Sequence, residues 1–225
     1  IIDGDKIELI FSDNQKENFD YLVFADGIFS KTKSIIFNDF SPPKYNHSIA
    51  LRGNFNGEHG KDVSIYMGSN YHYVVYPVDQ NNNYNFVAII KKKLDNKDLS
   101  KRDLFFSEDF INSLKSDLKK TSSINFNDLT GLKAFPVYIS DSFPNITKKN
   151  IFLAGDALFT FPPSFAQGAS QSIETAQDIY ECIFSGLDNL YKQRIQKISS
   201  INLKSKFNNF SFHLSNPISI FLRNL

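Results

Sequence analysis

The chain has 225 residues, enough for one large domain or two small ones. Hydrophobic residues make up 41% and charged residues 22%, a balance that supports a buried core. A net charge of +1, from 25 basic and 24 acidic residues, leaves no electrostatic footprint for nucleic acid or an anionic membrane.

The single Cys182 excludes an internal disulfide and points to a reducing compartment, the cytoplasm. No apolar run approaches the ~18 residues needed to span a bilayer, and no basic-then-apolar leader opens the chain. It begins on strand-like Ile1-Ile2-Asp3-Gly4 without an initiator Met. Alternation of Ile7, Leu9 and Phe11 predicts a strand over 6–11, and Ser12 to Gln15 a turn. The apolar run from Phe19 to Ala25 predicts a buried strand ending at Asp26-Gly27. Beyond Pro42-Pro43, residues 45–93 read as a meander of antiparallel strands: Ser48 to Phe55, Val63 to Met67, Tyr71 to Val78 and Tyr84 to Lys91.

Ser100 to Lys119 has helical spacing, with Ser100 as cap and Leu104, Phe105, Ile111, Leu114 and Leu118 as its apolar face. Strands are predicted for Leu132 to Ile139 and for Ile151 to Ala154, the latter running into Gly155-Asp156. The next helix runs from Gln167 to Phe184, with Ile173, Ala176, Tyr180 and Ile183 on its apolar face and Gly186 ending it. A last helix covers 188–212, and Pro217 interrupts the segment beyond it.

Two loops carry chemistry. In the first, the strand from Asp20 delivers Asp26 and Gly27 to its carboxyl end, where open α/β sheets bind ligands. A common Asp-Gly turn and a glycine that lets the backbone approach a cofactor are both open readings here. In the second, Gly155-Asp156-Ala157 leads through Pro162-Pro163 to Gln167-Gly168-Ala169, at the start of a helix. A helix amino terminus has unpaired N–H groups and a positive dipole end, which favour negative charge on a ligand. An ordinary proline-stiffened loop explains Pro162 and Gly168 separately, but not the ordered string.

Together these loops resemble the Asp-Gly and Gly-Asp motifs of the class A FAD-dependent aromatic-ring monooxygenases. The matching strings are Ala25-Asp26-Gly27-Ile28-x-Ser30, and Gly155 to Ala169 with Ile173-Glu174-x-Ala176 after it. Leu51-Arg52-Gly53 resembles the family's Trp-Arg-Gly strand, and His72-Tyr73-Val74-Val75-Tyr76-Pro77-Val78 a segment of its salicylate hydroxylase branch. Tyr191-x-x-Arg194, Ser199, His213 to Pro217 and Leu222 to Asn224 resemble that branch's closing pattern.

The resemblance implies an α/β (α+β) architecture. A Rossmann-like FAD domain, incomplete here, would take residues 1–41 and 130–186. An inserted antiparallel β-sheet substrate domain would span 42–129, and C-terminal helices 187–225. It implies FAD as cofactor, with NAD(P)H as reductant. A flavin C4a-hydroperoxide formed with O₂ would hydroxylate a phenolic aromatic. Asp26 and Gly27 would lie near the FAD pyrophosphate, and Asp156 beside Gly155 would contact the ribityl chain. Pro162, Pro163, Gln167, Gly168 and Ala169 would flank the flavin ring. His72 and Tyr76, four apart on one strand, would share the substrate face and assist phenol deprotonation. A partly solvated strand face is the alternative for this pair. Arg52 would be structural or would pair a substrate carboxylate. A related epoxidase, reductase or halogenase-like flavoenzyme, or a non-catalytic remnant, are the competing readings. A quinone-pathway substrate would bring the enzyme to a membrane surface without spanning it.

The chain departs from the pattern at Phe159 (usually His), Phe24 and Ala166 (usually Gly), Phe29 (usually Arg) and Leu51 (usually Trp). It also lacks the family's Gly-x-Gly-x-x-Gly string. On the order of a hundred residues are therefore expected to precede Ile1. The 225-residue chain alone is expected to hold FAD weakly and to be poorly soluble, with strand edges unpaired.

Overall fold

The computed structural model describes residues 2–3, 6–37, 41–119, 128–146, 148–187, 189–214 and 216–223. Gly4 and Ser215, and Asn224 of the closing pattern, lie outside the described residues. The strands in chain order are β1 (Ile2–Asp3), β2 (Lys6–Ile10), β3 (Lys16–Phe19), β4 (Leu22–Phe24) and β5 (Lys44–Asn56). They continue with β6 (Ser64–Gly68), β7 (Tyr71–Pro77), β8 (Asn83–Lys91), β9 (Thr130–Ile139) and β10 (Ile151–Leu153). The helices are α1 (Lys31–Ile36), α2 (Asn96–Ser100), α3 (Glu108–Lys119), α4 (Gly168–Ser185), α5 (Asn189–Phe212) and α6 (Pro217–Arg223). Two compact units divide the chain: Ile1–Lys44 with Tyr138–Ser205, and Tyr45–Val137 with Lys206–Leu225. Among the described residues no helix is long and apolar enough to cross a membrane.

In the first unit, β1, β2 and β3 form an antiparallel meander, and β4 pairs in parallel with β10 in the register Leu22↔Ile151. The apolar run from Phe19 is thus two strands rather than one. Its first residue closes the meander, and the chain bends at Asp20 before β4 starts a different pairing. Ile7, Phe24, Ile151, Leu153, Leu158 and Phe159 form the core here with Ile179 and Ile198 of α4 and α5.

The face of α4 that packs is not the one its hydropathy predicts. Gln171, Thr175, Ile179 and Cys182 are buried, while Ile173 is 73% and Tyr180 54% exposed. Polar side chains tolerate the inside when their hydrogen bonds are made there. Thr175 Oγ1 donates to the Gln171 carbonyl at 2.6 Å, and Gln171 Oε1 accepts from Arg194 Nη1 at 3.2 Å. Gly186 ends the helix at φ +66°, as its position predicts.

The second unit is built on a five-stranded sheet in the order β6-β7-β8-β5-β9, in which β6, β7, β8 and β5 are antiparallel neighbours. Alternation divides its faces. Ile49 and Leu51, Tyr73 and Val75, Phe86, Ala88 and Ile90 point into a core closed by Phe105, Phe110, Leu114 and Leu118. Ala50, Arg52, His72, Val74, Tyr76, Asn85 and Val87 point the other way. Gly53 lies against the neighbouring strand β9, and a Cβ there would lie 2.8 Å from the Leu132 side chain. That close approach gives a packing reason for the glycine of Leu51-Arg52-Gly53.

The single helix expected over 100–119 is three pieces: α2, a 3₁₀ segment Arg102–Phe106, and α3. Two separate caps explain the break. Asp95 accepts from the Asp98 N–H at 2.7 Å and Ser107 Oγ from the Phe110 N–H at 3.3 Å, so Ser100 starts no helix. Pro217 begins α6 rather than interrupting structure, because its missing N–H has no partner to lose at a first helical position.

Candidate functional site

The parallel pair of β4 and β10 brings both motif loops of the first unit to one end. Their registered partners Phe24 and Leu153 are the last residues of the two strands, so Asp26 and Gly155-Asp156 leave from adjacent carboxyl ends. Gly27 and Gly155 have φ of +82° and +59°, the left-handed region that favours glycine.

Beyond Gly27, Ser30 caps α1 by accepting from the Lys33 N–H at 3.0 Å. Asp26 Oδ2 accepts from Thr32 Oγ1 at 2.8 Å. Burial opposes the charge on Asp26, but hydrogen bonds from Ser30 and Thr32 outweigh it and hold the carboxyl below its ordinary range. Lys33 then ties the two loops together. Its side chain is 3% exposed and its ammonium donates to the Ala157 carbonyl at 2.7 Å. Burial lowers its pKa, and the nearby Asp26 charge offsets part of that. Sequence reading missed Lys33. Its signal was a lysine three residues after a capping serine, on a six-residue helix too short to show a face.

Asp156 sits beside Gly155 in a 3₁₀ turn. Its side chain reaches the surface, yet enough protein surrounds it that burial pushes its carboxyl up. Among the described residues that carboxylate accepts no hydrogen bond; only the Asp156 backbone carbonyl is used, by Thr160 Oγ1 at 3.2 Å. The proline loop is anchored from α5: Ser205, fully buried, donates to the Pro162 carbonyl at 2.8 Å, and Ser164 Oγ donates to the Ser205 carbonyl at 2.8 Å. Pro163 opens the 3₁₀ turn Pro163–Phe165, which ends on Ala166 at φ +50°. The Gln167 side chain makes no capping bond at the α4 amino terminus, and a Cβ on Gly168 would meet nothing within 4 Å. Gly168 and Ala169 therefore present open space and uncapped N–H groups.

Behind this terminus lies an ionic network. Arg194, 8% exposed, donates from Nε to Asp178 at 2.6 Å and from Nη1 to Glu174 at 2.5 Å. Lys197 also pairs with Glu174. Hydrogen bonds from Lys197 and Arg194 hold the Glu174 carboxyl down to about 2. Tyr191, also in the closing pattern, brackets the end of β10: its hydroxyl donates to the Leu153 carbonyl and accepts from the Leu153 N–H, both at 2.9 Å. Burial pushes its pKa up. Among the departures, Phe159 is 3% exposed and stacks on Phe143 at 4.6 Å, and Phe29 meets Tyr138 edge-on at 5.0 Å.

In the second unit, His72 and Tyr76 do share a sheet face, with Tyr76 opposite Asn85 and His72 opposite Ile89. Their surroundings differ. The Asn85 amide donates to Tyr76 Oη in a short hydrogen bond, which leaves the Tyr76 proton free to be donated outward. Arg52 is exposed on this face and makes no side-chain hydrogen bond or ion pair with any described residue. His72 is 2% exposed, beneath Phe212 and His213. Its Nδ1 lies 3.3 Å from His213 Nε2.

That contact needs a proton on one of the two nitrogens and a bare lone pair on the other, and the Asn209 backbone favours the charged form of His213. Burial and His213 lower His72 to about 4, and burial and Lys91 lower His213 to about 4. Both are neutral at pH 7. His72 thus has the strength of a hydrogen-bond acceptor, well short of a base for a phenol.

A model of the FAD binding domain family matches residues 3–188. Solved structures with this fold include a salicylate hydroxylase substrate complex, at 17% identity and a TM-score of 0.74, covering 96% of this chain and 61% of that one. HpxO of Klebsiella pneumoniae, complexed with FAD and uric acid, is 16% identical with a TM-score of 0.72 and coverages of 100% and 61%. The 2,6-dihydroxypyridine-3-hydroxylase of Arthrobacter nicotinovorans is 15% identical with a TM-score of 0.75 and coverages of 96% and 64%. At these identities the likeness is one of fold, and the chain spans about three-fifths of the length of each of these proteins. With the family match running over most of its length, the chain belongs to the FAD binding domain family.

Proposed function

We propose that the protein carrying this chain is an FAD-dependent monooxygenase that hydroxylates a small phenolic aromatic, with NAD(P)H as reductant and O₂ as oxidant. The observation that carries this reading is Asp156: a carboxylate at a strand end, raised by burial and without a partner among the described residues. Hydroxyl donors such as those of a ribityl chain would satisfy it and offset its burial. The uncapped start of α4 at Gly168 and Ala169 suits the electron-rich edge of a flavin ring, and Gly27 beside Asp26 suits close backbone approach to a pyrophosphate. FAD bound there supplies the electron transfer and the activation of oxygen.

The chain's own residues do the rest. Pro162 and Pro163, fixed by Ser205, hold the α4 terminus rigid. Tyr76, its oxygen already occupied by Asn85, donates its proton to a substrate oxygen, and Arg52 pairs an acidic substituent on the same face. His72, neutral and buried against Phe212 and His213, supports that face from beneath. Salicylate hydroxylase and 2,6-dihydroxypyridine-3-hydroxylase share this fold, in keeping with the reading.

The test is flavin affinity, and then turnover, in the protein carrying this chain. Asp156→Ala is expected to weaken FAD binding at least about ten-fold, the loss of one or two good hydrogen bonds. Tyr76→Phe is expected to keep its flavin and lose product formation. Unchanged FAD affinity in the Asp156 variant sinks the cofactor assignment.

A further inference from the structure

The second unit contains a cavity of about 440 Å³, at the end of β5 and β8 away from Tyr76. We infer that it is a binding site for a small oxyanion, a phosphate or carboxylate group, held by Lys91 and Lys93.

The charge is one-sided. Lys91, Lys92 and Lys93 all line the cavity, and among the described residues no carboxylate does. Lys92 is neutralised by Asp117 at 3.1 Å. Lys91 donates only to the Ser69 carbonyl at 3.1 Å, which leaves its charge uncompensated, and Lys93 has no partner among the described residues. Two uncompensated lysines lining a concave site focus a positive potential there. The volume lies in the range of small-molecule sites.

The adjoining β5 wall is strained. His47, a lining residue inside β5, has φ +47°. A side-chain-bearing residue in that region costs on the order of 1 kcal/mol and persists where the surroundings over-determine it, often at ligand sites. Its carbonyl accepts from the Lys92 N–H at 2.9 Å, which ties this residue to the lysine run. Asn70, whose carbonyl accepts from the Lys91 N–H at 2.7 Å, also lines the cavity.

His213 completes the wall and supplies the readout. The Lys91 charge helps to keep it neutral, so an anion between the two lysines removes that repulsion and makes its protonation easier. Neither the site nor its test depends on flavin.

The experiment titrates inorganic phosphate and, separately, acetate into the full chain, with chloride at matched ionic strength as the reference. Histidine ring signals are monitored by NMR. The expected result is a saturable shift at His213 with one of the two anions, which also names the head group, and an upward move of the His213 titration. The double variant Lys91→Gln, Lys93→Gln, both exposed positions, is expected to weaken binding at least about ten-fold with an unchanged circular dichroism spectrum. Shifts no larger than chloride gives, or equal affinity in the double variant, overturn the inference.

Discussion

Ala166 shows what a single residue can report. It stands in the left-handed region at φ +50°, between the proline turn and α4, at a position where the resembling proteins usually have glycine. A left-handed conformation costs a residue with a Cβ roughly 1–2 kcal/mol, partly offset because alanine gives up less freedom on folding. Ala166→Gly is therefore expected to raise stability by about 0.5 kcal/mol, read as a small rise in the midpoint of thermal unfolding. A fall would mean that the alanine methyl makes a contact worth more than the strain. Gly53 is the complementary case, since there the Cβ is excluded by Leu132 rather than by the backbone angle.

Among the elements, α4 and α5 act as one clamp. Arg194 joins Glu174, Asp178 and Gln171 across their interface, and Ser205, further along α5, holds the proline loop. Arg194 is the buried member, and removing it strands Asp178, 18% exposed, more than Glu174, 39% exposed, which keeps Lys197. Arg194→Leu is expected to cost about 3 kcal/mol, measured as a lower urea midpoint at pH 7. It should also loosen the α4 start, because Gln167 Oε1 accepts from Gln171 Nε2 at 3.2 Å in the same network. Hydropathy points to Ile173 and Tyr180 as the packing side of α4, and both are exposed. A polar core face is invisible to a hydropathy pattern until the hydrogen-bonding partner on another helix is known.

At the scale of the whole molecule, the histidine pair of the second unit is expected to make stability sensitive to acid. His72 and His213 are held near 4, below the ordinary value near 6.5. Between those values the unfolded chain binds protons that the folded chain refuses, so stability falls as the pH drops from about 6.5 to about 4. Above 6.5 this contribution is complete. The loss is expected to be roughly 2–3 kcal/mol for the buried His72, read from urea midpoints across that range. The variant His72→Leu should show a shallower slope there. An unchanged slope would place the acid sensitivity elsewhere.

The sequence by itself determined the two loops and their family. Asp26-Gly27 and Gly155-Asp156 stand at the ends of apolar strands, and local pattern is enough to recognise such a string. It also determined the meander of the second unit, because period-two alternation shows directly in the residues from Ser48 to Lys91. Tertiary structure alone decided that Lys33 links the loops, that α4 buries Gln171 and Thr175, and that His72 lies neutral under His213. Each of these joins residues far apart in the chain: Lys33 to Ala157, Gln171 to Arg194, His72 to His213. A buried polar group is stable only with its partner in place, and that partner is supplied by the fold.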